Sequence, residues 1–168
     1  MRKSQKIAWV GVFSSVAIAI SVLESYFSFS SLLPGLKLGL ANIVSLTALY
    51  ILGPIYALAI QFVRIMLTGF LRASPITFLF SFVGGMTSIL LVILIRRINK
   101  EAFSVVGLSV IGAIVHNVAQ FFAALLVLKN IDIFWYIAFL TLFAVLGGVL
   151  TGISAKYLIK ALEANKRH

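Results

Sequence analysis

Three polar side chains lie close together inside an apolar stretch at residues 102–128: His116, Asn117 and Gln120. Counted from a predicted helix start near Phe103 at about 1.5 Å per residue, His116 lies roughly 18 Å along the helix, near the middle of a hydrocarbon layer about 30 Å thick. Spacings of three and four residues place the three side chains on one helical face. Polar groups at this depth face a cavity, a ligand or a neighbouring helix. The pattern indicates a ligand site or a polar contact between helices, and polar residues elsewhere in the chain favour the ligand site.

A second set of polar side chains follows Pro54. Gln61, Arg64, Thr68 and Arg72 recur every three or four residues and therefore share one face of a predicted helix. Arg64 lies about 15 Å from the start of that helix. An arginine near the bilayer midplane costs at least about 2.5 to 3.5 kcal/mol on insertion scales, so it normally faces the bundle interior or water.

Lys37 and Asn42 precede these residues at the start of another apolar run. Lys37 alone is explained by a long side chain that reaches the headgroups, whereas Asn42 is too short to do so. Taken together, the polar residues predict a cavity in the outer half of a helical bundle. The predicted substrate-binding residues are Lys37, Asn42, Gln61, Arg64, Arg72, His116, Asn117 and Gln120. Their fixed cations favour an anionic group, such as a carboxylate or phosphate, and Glu24 is the carboxylate that would offset one of them.

The composition identifies an integral membrane protein. Of the 168 residues, 62% are hydrophobic and 11% are charged, and the mean hydropathy is +1.15. The length fits one compact bundle with no room for a separate soluble domain. A net charge of +10 is also typical of nucleic-acid-binding proteins, but here the distribution of the charge follows membrane topology. We expect a multi-pass protein of the plasma membrane whose basic tail lies near anionic lipid.

The apolar runs predict an all-α bundle of six transmembrane helices. The Gly53-Pro54 pair divides the longest run, since a helix interior tolerates it badly and proline is a favourable first helical residue. The predicted helices cover residues 7–24, 37–52, 54–72, 75–96, 103–128 and 133–160. If both termini are cytoplasmic, Lys37, Arg64, Arg72 and Lys129 lie on the outer side, and the remaining ten of the 14 lysines and arginines lie inside. The positive-inside rule predicts that orientation.

Two further features of the first helix concern its surroundings. Gly11, Ser15 and Ala19 form a stripe of small residues at intervals of four, which permits close approach of another helix of the bundle or of a separate protein. The segment from Ser25 to Gly35 is aromatic, apolar and punctuated by serines and proline. It is equally compatible with a lid over an outward-facing cavity and with an aromatic belt at the membrane interface.

Several kinds of chemistry lack the residues they need. The four carboxylates, Glu24, Glu101, Asp132 and Glu163, are far apart in sequence, whereas diphosphate chemistry through magnesium requires clustered carboxylates. Cysteine is absent, and His116 and His168 cannot form a zinc site together. The chain has no phosphate-binding loop motif for ATP. We therefore expect no catalytic residue, no metal and no cofactor in this chain.

Several of these motifs together resemble a known family. They are Lys37-Leu38-Gly39-Leu40-Ala41-Asn42-Ile43-Val44, the Leu-Thr-Gly at residues 67–69 after Arg64, Gly84-Gly85, and His116-Asn117-x-x-Gln120. This combination resembles the Gx transporter family, whose members are often labelled heptaprenyl diphosphate synthase component I. The resemblance extends over nearly the whole chain. Members of that family are similar to the substrate-binding S components of energy-coupling factor (ECF) transporters.

The resemblance implies both partners and a mechanism. An S component of this type works with a transmembrane T component and two cytoplasmic ATPases, which use the ATP. It captures a small solute, such as a vitamin, from outside under its first loop and topples in the membrane to release it inward. In better-known S components the first helix docks on the T component through alanines four residues apart, so the resemblance implies a docking role for Gly11, Ser15 and Ala19.

Two other classes of function remain open at this point. The synthase label is compatible with a non-catalytic membrane subunit associated with heptaprenyl diphosphate synthesis. A structural subunit without a ligand is the other class. Arg64 and His116 distinguish these possibilities, because a purely structural subunit has little reason to bury both near the midplane.

Overall fold

The computed structural model of the chain describes residues 2–27, 39–72, 74–99, 101, 103–129 and 136–165. These residues form six α-helices: α1 (Lys3–Phe27), α2 (Asn42–Ile51), α3 (Pro54–Arg72), α4 (Pro75–Ile98), α5 (Val105–Leu128) and α6 (Tyr136–Asn165). No strand occurs in this part of the chain. The predicted all-α fold with six helices is confirmed.

Five of these helices are long and apolar enough to cross a membrane: α1, α3, α4, α5 and α6. Helix α2 has only 10 residues, or about 15 Å of length, which is roughly half of the hydrocarbon thickness. It does not start at Lys37 as predicted. Gly39 has a φ of +73°, a left-handed conformation that ends any helical continuation, and the helix begins three residues later. Within the described residues, the second helix is therefore shorter than the predicted range 37–52.

The helix ends follow local chemistry. Ser74 and Ser104 cap α4 and α5 by accepting from the backbone N–H groups of Thr77 and Gly107, and Pro75 opens α4. At the predicted Gly53-Pro54 break, the N–H groups of Leu52 and Gly53 both donate to the carbonyl of Ala48. Gly53 has a φ of +105°, so a glycine is needed to turn the chain there.

Helix α2 lies in the centre of the bundle. It contacts α1, α3, α4 and α6, and its residues Val44 to Leu49 are all buried. The other helices surround it, with α3 between α1 and α4, and α5 between α4 and α6. Because the central helix is short, space remains within the bundle next to its first residue, Asn42, on the side where α1 ends.

Close helix contacts are made at glycines. A Cβ on Gly148 would lie 2.7 Å from Val110 Cα, and one on Gly152 would lie 2.7 Å from Val106 Cα, so α6 packs directly on the backbone of α5. Hydroxyl groups add interhelical bonds, including Ser88 Oγ to the Gly112 carbonyl at 2.7 Å. At the opposite end of α2, Arg96 donates to the Leu49 carbonyl at 2.9 Å and lies over the Tyr50 ring at 3.6 Å. These contacts hold α2, α4, α5 and α6 against one another.

Candidate functional site: a polar cavity at one end of the bundle

A cavity of about 50 Å³ opens in the half of the bundle where α1 ends and α2 begins. That volume accommodates a few water molecules or one small chemical group. All six helices or their flanking turns contribute to its lining. The lining residues are Ser21, Glu24, Gly39, Asn42, Arg64, Ile65, Thr68, Ser81, Ala113, His116, Asn117 and Ala144.

Arg64 provides the positive charge of the cavity. It projects from the middle of α3 and is only 7% exposed, as expected from its position in the sequence. One turn later, the Thr68 hydroxyl donates to the Arg64 carbonyl at 2.7 Å, so this hydroxyl proton is used within the helix. Arg64 thereby places a guanidinium group, which carries five N–H donors, in the cavity lining.

Glu24 provides a carboxylate in the same cavity, and the sequence alone predicts only that it offsets one of the cations. It is 8% exposed at the end of α1. Its Oε1 accepts hydrogen bonds from the backbone N–H groups of Gly39 and Leu40, just before α2. The left-handed conformation of Gly39 directs these N–H groups at the carboxylate. Glu24 thereby joins α1 to the start of α2 beside the cavity.

His116 and Asn117 complete the polar lining from α5. The Nδ2 of Asn117 donates to the Leu140 carbonyl of α6 at 2.9 Å, so Asn117 serves both the cavity and a helix contact. His116 lies against Gly84 of α4, where an added Cβ would be 2.8 Å from the His116 carbonyl oxygen and 3.2 Å from its Nε2. The absence of a side chain at Gly84 leaves room for the imidazole.

The sequence of this helical bundle matches one protein-family model. A family model described as heptaprenyl diphosphate synthase component I matches residues 13–158. The chain belongs to this family. The match includes α2 to α5 completely and every residue that lines the cavity. No curated protein and no solved structure matches the chain.

In this member of the heptaprenyl diphosphate synthase component I family, four predicted site residues meet in the cavity: Asn42, Arg64, His116 and Asn117. Gln61 does not line it. The Gln61 amide accepts from Ser45 Oγ at 2.6 Å and donates to the Gly85 carbonyl at 3.2 Å, which joins α2, α3 and α4. Gln120 is also outside the lining and lies beside Gly84.

Two predicted cations of the component I chain are beyond what the structure describes. Lys37 lies outside the described residues, as does most of the proposed lid at residues 25–35. Arg72 is the last residue of α3, and its side chain is likewise outside the described part. Their assignment to the site stays a prediction from the sequence.

Three residues of the cavity lining, Ser21, Glu24 and Ser81, were not predicted as substrate-binding residues, because their sequence context indicates a site only weakly. Ser21 and Glu24 are three residues apart on α1, which places them on one face of the helix. This polar pair is the sequence feature that indicates their place in the lining. Ser81 stands alone in an apolar segment. Nothing in its sequence context distinguishes it from a serine that bonds its own helix.

The small-residue stripe of α1 lies on the surface of this component I protein. Gly11, Ser15 and Ala19 are all exposed, and an added Cβ on Gly11 would meet nothing within 4 Å. The Ser15 hydroxyl donates to the Gly11 carbonyl of its own helix at 3.0 Å. The stripe is thus not used in the contacts of α1 with α2 and α3.

We expect Glu24→Ala to loosen the start of α2. Loss of a charged acceptor for two backbone N–H groups costs about 1.5 to 3 kcal/mol, so the amide hydrogens of Gly39 and Leu40 should exchange at least about 10-fold faster. Hydrogen exchange followed by mass spectrometry measures this change. The exposed Glu163→Ala is the matched control and should leave the exchange at Gly39 and Leu40 unchanged. Unchanged exchange in Glu24→Ala would contradict the proposed importance of the contact.

Proposed function

We propose that the chain is the substrate-binding S component of an ECF-type importer. The observation that carries the proposal is that the buried Arg64 and Glu24 and the partly buried His116 line one cavity inside an apolar bundle. Burying an arginine and a carboxylate in a membrane helix bundle is costly, and such groups mark substrate sites and pathways. Glu24 also stabilises the start of α2, whereas packing between helices does not require a buried arginine.

The proposed ligand is a small anionic or amphipathic solute, such as a vitamin, a cofactor, or an isoprenoid or quinone precursor. Arg64 would bind a carboxylate or phosphate oxygen through its planar set of N–H donors. Asn42, His116 and Asn117 would bind further polar atoms, and Ile65 and Ala144 would contact an apolar part. A cavity of about 50 Å³ takes only part of such a molecule, so binding would widen it.

The proposed energy source is ATP hydrolysis by partner subunits. In this account the chain binds no nucleotide and catalyses no reaction. It would work with a transmembrane T component and two cytoplasmic ATPases in the plasma membrane, with both of its own termini in the cytoplasm. The exposed Gly11, Ser15 and Ala19 on α1 support the proposed docking surface, because small residues allow a partner helix to approach closely.

Replacing Gly11 by Leu tests this docking separately from ligand binding. A Cβ added at position 11 meets no described atom within 4 Å, and Gly11 is exposed, so folding and ligand binding should be retained. Close approach of a partner helix would be blocked, and we expect co-purification of the T component and ATPases, and energised uptake, to fall at least about 10-fold. Val12→Leu, which changes an exposed neighbouring residue from one apolar type to another, is the control. Normal uptake by Gly11→Leu would exclude this docking face.

The alternative is a non-catalytic membrane subunit associated with heptaprenyl diphosphate synthesis. The description of the matching family model favours it. The scattered carboxylates of the sequence argue against diphosphate chemistry by this chain itself. The two proposals differ in what accompanies the protein from its native membrane: a prenyl synthase in this case, and ATPases with a T component in the other.

A further inference from the structure

Two consecutive backbone N–H groups at the edge of the polar cavity already hold a carboxylate. The N–H of Gly39 donates to Glu24 Oε1 at 2.5 Å, and the N–H of Leu40 donates to the same oxygen at 3.4 Å. Both Gly39 and Glu24 line the cavity. We call these two donors the Gly39-Leu40 N–H pair. The contact shows that this part of the fold accommodates a carboxylate oxygen.

The turn before α2 makes both N–H groups available. The carbonyl groups of Gly39 and Leu40 accept from the N–H groups of Asn42 and Ile43, at 2.8 and 3.1 Å, which leaves their own N–H groups for another acceptor. Gly39 has a φ of +73°, and a left-handed residue in such a turn creates a concave set of N–H groups of the kind that binds anions. The N-cap residue Ala41 makes no side-chain hydrogen bond, so it does not compete for these donors.

The surroundings of the Gly39-Leu40 N–H pair are more positive than negative. Arg64 lines the same cavity with a full positive charge, and the first turn of α2 adds about half a charge at Asn42. The Asn42 amide nitrogen also lies beside Gly39, where an added Cβ would be 3.1 Å from Nδ2. Glu24 is the one carboxylate among the described lining residues. The site therefore suits an anion, and Glu24 is the anion that the chain itself supplies.

We propose that Glu24 occupies the place of the acidic group of the solute, and that a carboxylate on the solute displaces Glu24 from the Gly39-Leu40 N–H pair. This inference rests on the proposed function and narrows its substrate class to solutes that carry a carboxylate. One oxygen of that carboxylate would accept from the N–H pair as Glu24 Oε1 does, and the other would face Arg64. Two carboxylates repel one another at such a distance, so either Glu24 or the solute is bound there.

Displacement of Glu24 would also change how α1 is held. Glu24 belongs to the last turns of α1, and its hydrogen bonds to Gly39 and Leu40 join this end of the helix to the start of α2. The exposed stripe of Gly11, Ser15 and Ala19 is on the same helix. Occupation of the cavity by a carboxylate would therefore release the end of the helix that carries the proposed docking surface.

Chemical rescue with acetate tests the proposal without knowledge of the solute. Glu24→Ala removes a CH₂–COO⁻ group, which is close to an acetate ion in size and charge. We expect sodium acetate to slow amide exchange at Gly39 and Leu40 in this variant at least about threefold, relative to sodium chloride at the same pH and ionic strength. That factor corresponds to acetate at twice its dissociation constant. Exchange at Ser25 and Tyr26 should not slow, because acetate does not reconnect α1 to α2. Equal exchange at Gly39 and Leu40 in the two salts would overturn the proposal.

Three further proteins locate the effect of acetate. Wild-type protein should show no slowing, since Glu24 fills the site. Glu24→Gln keeps the size of the side chain and remains informative if Glu24→Ala does not fold. Its neutral amide competes less strongly than a carboxylate, so we expect acetate to slow exchange about twofold at Gly39 and Leu40. Glu163→Ala, which removes an exposed carboxylate, is the matched control and should not respond.

The two contradicting outcomes are distinct. A response of Glu163→Ala equal to that of Glu24→Ala would show that acetate acts elsewhere, and the absence of a response in both Glu24 variants would show that Glu24 is only a structural contact. Either result would overturn the inference. Neither would overturn the import proposal, because the acetate experiment uses no solute, no T component and no ATPase.

Discussion

Replacing Arg64 by Leu is expected to reduce ligand binding by about 100-fold or more and to abolish uptake. Arg64 is the cation that the structure describes in the lining of the cavity, and it is 7% exposed. Removing one partner of a buried, charge-assisted contact costs about 2 to 5 kcal/mol, and about 3 kcal/mol corresponds to roughly 100-fold in affinity. Uptake of the solute by whole cells, together with binding to the purified variant, measures both effects.

The control for Arg64→Leu is Arg97→Leu. Arg97 is exposed near the end of α4 and does not line the cavity, so its replacement removes the same charge without touching the site. Amounts of each variant in the membrane fraction should match the wild type, since leucine inserts more readily than arginine. Uptake by Arg64→Leu equal to that of Arg97→Leu would exclude Arg64 from the site.

Gly84→Ala is expected to lower both stability and ligand binding. The added Cβ would lie 2.8 Å from the backbone carbonyl oxygen of His116, and a backbone atom cannot move aside as a flexible side chain can. Separating α4 from α5 to relieve this contact should cost about 1 to 3 kcal/mol. We expect a lower thermal midpoint and also weaker ligand binding, because the same methyl group approaches His116 Nε2 at 3.2 Å.

Gly11→Ala separates the steric effect from the general effect of removing a glycine. Both glycines are inside helices, so both substitutions improve helix propensity by about 1 kcal/mol. Position 11 has open space where position 84 has the backbone of α5. The thermal midpoint of Gly11→Ala should therefore equal or exceed that of the wild type. A stable Gly84→Ala protein with normal binding would contradict the packing described for α4 and α5.

The features that the sequence predicted correctly depend on local physics. The Gly53-Pro54 break follows from proline geometry and from the positive φ that glycine permits, and both act within a few residues. The presence of Arg64 and His116 inside the bundle follows from the cost of polar groups in hydrocarbon, which restricts where they can face. The same constraints predicted one cavity lined by Asn42, Arg64, His116 and Asn117, as the structure has it, but also by Gln61 and Gln120, which do not line it.

The features that were not predicted depend on contacts between distant segments. Glu24 and Gly39 are 15 residues apart, and their bond requires the turn that precedes α2. That same turn shortens α2 to 10 residues, whereas hydropathy alone continues the apolar run through Leu38 and Leu40. The structural role of Gln61 could not be predicted from the sequence either. Its polarity indicates a buried partner, but only the fold shows that Ser45 and Gly85 satisfy the amide.

Native mass spectrometry of the protein purified gently from its own membrane tests the central claim most directly. We predict a small solute that stays bound to the wild-type chain, together with a T component and two ATPases in part of the sample. The solute would identify the substrate class of the cavity. A chain that carries no solute and is bound instead to a prenyl synthase would contradict the import proposal and support the accessory-subunit alternative.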